Sequence, residues 1–202
     1  MILTERFDKA FLYASELHRN QKRKNSSAPY VCHLMAVASL VIENIESICQ
    51  DQDDAEDYVI VAILHDAVED QGGMPTYEHI KQQFGAKIAD DVLTLSHSAP
   101  DNSAERASKA VRNEIYLKNI RAASQEIAIV SCCDKIHNLR TMYADFLSMG
   151  QNFWAVFSQS PRDTMENYKK LGELYAEKLP NHRIIAIYNE VMSAVESALP
   201  TD

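Results

Sequence analysis

The stretch that decides the reading is Ile63-Leu64-His65-Asp66-Ala67-Val68-Glu69-Asp70. It closes an apolar helical pattern that begins near Ala55 and stops at Gly72-Gly73. On a continuous helix Glu69 lies four residues beyond His65 and Asp70 four beyond Asp66, so two pairs stack on one face. Three carboxylates beside an apolar helix repel one another. A divalent cation would relieve that repulsion and take a neutral imidazole as ligand. The plainer alternative is a solvated helix end with one satisfied histidine.

Helical spacing continues in both directions. Phe7, Ala10, Phe11, Ala14 and Leu17 mark a first helix behind the cap-like Thr4, reaching to about residue 23. Pro29 opens a second, through Val31, Leu34, Val37, Ala38 and Val41 to about Cys49. The acidic loop Gln50–Asp57 leads into the third helix, since acids suit the positive end of the helix dipole. A short helix is predicted over Thr76–Phe84, stopped at Gly85, and another over Ala86–Leu95. The polar stretch His97–Ser103 reads as a loop. Further helices cover roughly Ala104–Ala122, Gln125–Phe146, Asp163–Lys178 and Arg183–Ala198. Ile127–Cys133 fits a strand by propensity, but its flanks favour helix. With only 5 Gly and 6 Pro there is little punctuation for the turns of an all-β fold. The expectation is an all-α fold, one domain over 1–202, with helices 163–198 packing on the part that carries the motifs.

Composition bounds the function. The 46% hydrophobic and 24% charged residues are those of a globular protein. No apolar run approaches the roughly 20 residues of a membrane span, and the N-terminus lacks the basic-then-apolar layout of a signal peptide. Cys32, Cys49, Cys132 and Cys133 form no CxxC and read as reduced, mostly buried thiols, which suits a cytoplasmic protein. A net charge of −9 argues against a general nucleic-acid binder, which needs a basic face. It does not exclude a small anionic ligand, which needs only a local cationic patch or a metal.

Two further segments bear on the His65-Asp66 step. His33 sits one turn into the second helix. Asp134 interrupts the apolar run Ile127–Cys133 and begins Asp134-Lys135-Ile136-His137-Asn138-Leu139-Arg140-Thr141. An acid placed there is expected where its helix meets the core, and a lone buried carboxylate is costly. His33, His65, Asp66 and Asp134 would make a two-histidine, two-aspartate site with room for water on an octahedral ion. Taken singly, each residue is as well explained by packing. Arg19, Lys22, Arg23 and Lys24 have the reading of an ordinary basic helix end. His137 is not assigned as a ligand, and His79, His97 and His182 are expected on the surface. The pair Phe153-Trp154, with Tyr168, is expected to pack or to form a lid.

The order His33, His65-Asp66, Asp134 resembles the HD-domain metal-dependent phosphohydrolases. The surrounding residues are similar to the hydrolase domain of the RelA/SpoT alarmone family. His18-Arg19-Asn20-Gln21-Lys22-Arg23-Lys24 followed by Pro29-Tyr30-Val31-Cys32-His33 resembles that family's H-x-G-Q-x-R-K…P-Y-x-x-H-P. His65–Asp70 resembles H-D-x-V-E-D, Cys133–Thr141 resembles A-D-R-L-H-N-M-R-T, and Phe84-Gly85 matches a family Phe-Gly. The similarity runs from His18 to Thr141. The departures are Asn20 for Gly, Leu34 for Pro, and Cys133 for the small residue before the aspartate.

The resemblance implies one Mn²⁺ per chain, with other divalent ions accepted, held by His33, His65, Asp66 and Asp134. It implies that Glu69 and Asp70 orient or deprotonate the attacking water and assist the leaving group. Arg23 and Lys24 would meet the nucleotide phosphates, and Asn138 and Thr141 would line the nucleotide pocket. The expected activity is 3′-pyrophosphohydrolysis of (p)ppGpp to GDP or GTP and pyrophosphate. The partner is then a small anionic nucleotide, with no nucleic acid and no membrane; a homo-oligomer is left open. The residues after Thr141 are too few for the synthetase domain of the long enzymes. Alternatives keep the site but change the substrate to (p)ppApp or another 3′-phosphorylated nucleotide of the NADPH type, or make the chain an antitoxin to a synthetase. A non-catalytic HD module is the remaining reading.

Overall fold

A computed structural model of the chain describes residues 2–24, 26–49, 51–97, 108–156 and 160–199. The described residues are helical as expected, with no β-structure beyond an isolated bridge between Lys22 and Pro29. The chain divides into two compact units, Met1–Ser131 and Cys132–Asp202.

The first unit is organised around one helix. α1 (Glu5–Leu17), α2 (Val31–Ile45), α3 (Gln52–Leu64), the single turn α4 (Ala67–Asp70), α5 (Met74–Phe84), α6 (Ala86–Leu95) and α7 (Lys109–Ala122) belong to it, with the start of α8 (Gln125–Met149). In α3 every residue from Tyr58 to Leu64 is buried. A helix that is apolar all round can only be stable inside a core, and α1, α2 and α6 pack against α3. Val37, Val41, Ile45, Ile88 and Val92 fill in around it. Its end is anchored as well. Asp51 caps the first turn through Asp54 N–H, and the buried Glu56 accepts from Thr4 N at 2.5 Å and Thr4 Oγ1 at 3.0 Å. Thr4 caps α1 as its sequence suggested, accepting from Arg6 N.

Several boundaries differ from expectation. α1 stops at Leu17 rather than near residue 23, because His18 turns into the interior and the following polar run has no apolar face to bury. Residues 18–24 and 26–30 instead form tied loop segments, with Tyr30 N–H donating to Gln21 O at 2.9 Å and Arg23 N–H to Ala28 O at 3.0 Å. The basic residues 19–24 are therefore not a helix end. The helix expected to run to Glu69 ends at Leu64, and Asp66 serves as N-cap residue of α4. Gly72, at φ +107°, then reverses the chain, and a Cβ there would meet Thr76 Oγ1 at 2.9 Å. α5 starts two residues early, at Met74, and α8 runs on to Met149. The expected loop after His97 and helix start at Ala104 lie outside the described residues. His97 is half-buried, stacked on Tyr116 at 4.0 Å, and His182 is half-buried as the N-cap of the last helix; neither is the surface residue expected.

The second unit holds the rest of α8, a 3-10 turn at Gly150–Val156, α9 (Pro161–Lys178) and α10 (Arg183–Glu196). Phe153 and Trp154 are buried, and Trp154 Nε1 donates to Ala198 O at 3.1 Å. Within α9, Gly172 lets Tyr188 of α10 approach to 2.8 Å of where a Cβ would sit, while Tyr188 Oη donates to Tyr168 O. No described helix is long and apolar enough to cross a membrane.

None of the four cysteines is in a disulfide. Cys132 and Cys133 are buried, while Cys32 and Cys49 are half-buried. Loss of solvent, with Asp54 and Glu126 nearby, pushes the Cys49 thiol up to about 12.

Two outcomes follow. Gly172→Ala should lower stability in urea by about 1–3 kcal/mol through overpacking against Tyr188, although alanine gains about 1 kcal/mol of helix propensity. Loss of solvent pushes the Asp91 carboxyl from its ordinary 3.8 up to about 6, helped by Asp90 and opposed by Lys87. A raised acid favours the folded state at low pH and loses that contribution as pH rises from 3.8 through 6. Asp91→Asn should therefore raise Tm at pH 8, with the gain fading as pH falls below 6; an equal gain at all pH values would contradict this.

Candidate metal centre

His65 and Asp66 stand where the buried α3 gives way to α4, and His33 is the third residue of α2, which packs along α3. Packing of α2 on α3 thus brings residues 32 positions apart in sequence into one cluster. The two rings meet edge to face, with centroids 5.1 Å apart. Asp66 Oδ2 lies 2.9 Å from His65 Nε2 and 3.5 Å from His33 Nε2. One ligand atom from each residue falls within 4.8 Å of the others. Both histidines are buried, and Asp66 is partly exposed.

The tautomer of His65 follows from its neighbour. Nδ1 lies 2.7 Å from Ala62 O, and a carbonyl only accepts, so Nδ1 carries the proton and Nε2 of the neutral ring presents a lone pair. That lone pair faces a carboxylate oxygen at 2.9 Å. Two acceptors at that distance need a proton or a shared cation between them. Imidazole and carboxylate donors without thiolate fit a borderline or hard divalent ion. The donor set therefore suits a metal.

Neighbouring side chains hold the cluster. Tyr30, next to the start of α2, donates from Oη to Asp66 Oδ2 at 2.6 Å. Its ring stacks on the buried His18 at 5.1 Å and meets His33 edge-on at 5.5 Å. The guanidinium of Arg23 lies over the other residues' shared partner, the Tyr30 ring, at 5.6 Å. Asp70 Oδ2 accepts from Gln21 Nε2 at 2.7 Å. Loss of solvent and then the charge of Asp66 push the Asp70 carboxyl above its usual range, opposed by the Gln21 hydrogen bond.

The acidic pair splits into two environments. Glu69 accepts from the backbone N–H of His97 at 2.8 Å and lies 3.8 Å from Arg112 Nη1. Arg112 belongs to a cationic group: burial, then Lys24 and Arg112, push the Lys109 amine below its usual value. Lys24, Lys109 and Arg112 thus gather in an otherwise acidic chain. A concentration of positive charge beside the histidine–aspartate cluster can hold phosphate oxygens.

The remaining expected residues lie in the second unit. Asp134 is buried, and its carboxylate accepts from Lys135 Nζ at 2.7 Å and Asn138 Nδ2 at 2.6 Å. Thr141 Oγ1 donates to His137 O at 3.0 Å, within its own helix. The structure brings together His33, His65 and Asp66, with Tyr30 donating to Asp66 and lying under Arg23. Residues not singled out from the sequence are Tyr30, Gln21, Lys109, Arg112 and Lys135. The first two lie inside motif segments already quoted; Lys109 and Arg112 were signalled only as two cations at i and i+3.

Comparison with known proteins gives the family and the fold. The profile of the HD domain family matches residues 10–158. The GTP pyrophosphokinase of Myxococcus xanthus is 32% identical over 139 residues, covering 66% of this chain and 17% of that protein. The bifunctional (p)ppGpp synthase/hydrolase SpoT of Escherichia coli (strain K12) is 32% identical over 142 residues, 68% of this chain and 18% of that one. The chain thus spans less than a fifth of the length of these curated relatives. Among solved structures, a metazoan ortholog of SpoT that hydrolyses ppGpp and plays a role in starvation responses superposes with a TM-score of 0.69 at 21% identity, over 96% of this chain and 97% of that one. A Listeria monocytogenes EGD-e protein gives 0.62 at 21% identity, over 82% and 97%. Both share the fold.

Removing the hydroxyl that fixes Asp66 should loosen the cluster without unfolding it. Tyr30→Phe is expected to weaken binding of added Mn²⁺ by about 10–100-fold, the usual effect of losing a hydrogen bond to a ligand. A thermal-shift titration reads this; unchanged affinity would remove Tyr30 from the site.

Proposed function

The chain belongs to the HD domain family, and from that premise we propose that it is a metal-dependent 3′-pyrophosphohydrolase of (p)ppGpp. The observation that carries the reading is the His33–His65–Asp66 cluster, its two histidines buried, with an acidic pair on one side and three gathered cations nearby. Such a combination suits an anionic substrate whose phosphorus is to be attacked by water. The ion we favour is Mn²⁺, one per chain, with other divalent ions accepted. Asp134 enters the ligand set by its motif alone. When bound, the ion would supply water of lowered pKa and offset charge on the phosphate oxygens.

The chain's own residues do the rest. Asp70, raised by burial toward the range of a general base, accepts the proton. It takes a proton from the attacking water while the water oxygen bonds to phosphorus and the 3′ oxygen–phosphorus bond breaks. Glu69, held by His97 N–H and facing Arg112, orients the water. Lys24, Lys109 and Arg112 grip phosphate oxygens, and Arg23, lying on Tyr30, offers a planar cation to phosphate or purine. The 3′ hydroxyl and pyrophosphate leave after a proton returns to the 3′ oxygen.

A second reading changes the base. Asn138 and Thr141, expected to line the nucleotide pocket, hydrogen-bond to Asp134 and to His137 O within α8. Nothing in that pattern selects guanine, so (p)ppApp or another 3′-phosphorylated nucleotide is accommodated by the same chemistry.

The test is pyrophosphate release from ppGpp and ppApp, and phosphate release from NADPH, with Mn²⁺. Turnover of ppGpp with the highest kcat/KM is expected; metal binding without turnover of any would reject the assignment. Glu69→Ala should keep metal and lose about 10²–10⁴-fold in kcat, whereas Asp134→Ala should lose metal and activity together.

A further inference from the structure

His18 and Gln21 lie in the loop after α1 and touch no ion ligand directly, yet they form a closed hydrogen-bond chain to the acidic pair. Gln21 Nε2 is 2.7 Å from Asp70 Oδ2. Gln21 Oε1 is 2.7 Å from His18 Nδ1 and 2.5 Å from Gln71 Nε2. An ionised carboxylate only accepts, so the amide must turn its NH₂ to Asp70. Its oxygen then faces His18 and Gln71, and both must donate. The tautomer of His18 is thereby fixed as Nδ1–H.

The rest of His18 fits this role. The ring is buried and stacked on Tyr30, interplanar angle 16°. Its Nε2 is buried with no hydrogen-bond partner, which a lone pair tolerates better than an N–H would. Burial pushes the imidazole pKa down, so the ring stays neutral, although Gln21, Asp66 and Asp70 oppose the shift. A buried neutral histidine with one satisfied nitrogen has no packing advantage over phenylalanine at that place. Its distinguishing property is the single donor aimed at Gln21.

We propose that His18 and Gln21 are positioning residues, in which the His18 Nδ1–H locks the Gln21 amide so that its NH₂ holds the Asp70 carboxylate beside the His33–His65–Asp66 cluster. The inference rests on the hydrolase reading for its kinetic consequence, and on geometry alone for the hydrogen-bond chain.

Two measurements test it in the full chain. In the metal-free protein, ¹⁵N spectra of the imidazoles should show His18 as the Nδ1–H tautomer. In the Mn²⁺-loaded protein, Gln21→Met should lower kcat by about 10–100-fold with KM and metal content within about threefold, the signature of a misplaced group rather than lost binding. His18→Asn keeps a donor near the Nδ1 position and should retain most of kcat, whereas His18→Gln should fall with Gln21→Met. Both substitutions lose the ring over Tyr30, so their difference reads the donor. An Nε2–H tautomer, or equal losses in His18→Asn and His18→Gln, would each overturn the proposal. A wild-type protein inert toward every nucleotide, with the tautomer as expected, would overturn the hydrolase reading and leave the positioning chain standing.

Discussion

A carboxylate oxygen set against an imidazole lone pair at 2.9 Å is the constraint on which the first unit turns. The proton on His65 is committed to Ala62 O, so the ring cannot relieve the contact by changing tautomer. Asp66 cannot swing away freely, since Tyr30 holds the same oxygen at 2.6 Å. The arrangement is preorganised for a cation in the sense that its donors are already turned inward. The cost of keeping them so is borne by the core around α3, whose burial from Tyr58 to Leu64 leaves that helix no room to shift.

The same helix explains why the His-Asp step is a break. A single continuous helix would carry His65 and Asp66 on faces about 100° apart. Ending α3 at Leu64 and restarting the chain at Ala67 turns Asp66 so that its oxygen meets the His65 ring. The turn is closed by Gly72, where a positive φ is required. Asp70 N–H still reaches Asp66 O at 2.9 Å, so the acidic pair stays on the next turn. What departs from helix is only the segment where chemistry needs it.

The sequence made much of this legible. Apolar spacing marked nine helical segments, and the motif words located the histidines and acids. Four things were not legible, each for a physical reason. Residues Arg19–Lys24 have good helix propensity, but propensity is overridden where no apolar face exists to bury. The break at His65 is imposed by contacts with Tyr30 and His33, far away in the chain. The neutralisation of Asp134 by Lys135 joins neighbours at i and i+1, a spacing that helical reasoning treats as non-facing. Arg112 was invisible for a different reason, since its partner Glu69 lies in another helix and no local pattern links them.

The gathering of Lys24, Lys109 and Arg112 in a chain of net charge −9 has a consequence for encounter kinetics. A polyanion approaching from afar meets repulsion from the molecule as a whole and attraction only once it is near the trio. Dissolved salt screens charges beyond about 8–10 Å at ordinary ionic strength and leaves close contacts largely intact. Raising salt from very low levels therefore removes the distant barrier before it weakens the grip. In contrast to polybasic proteins that lose phosphate ligands steadily as salt is added, this charge distribution would let a polyanion arrive fastest in moderately saline solution.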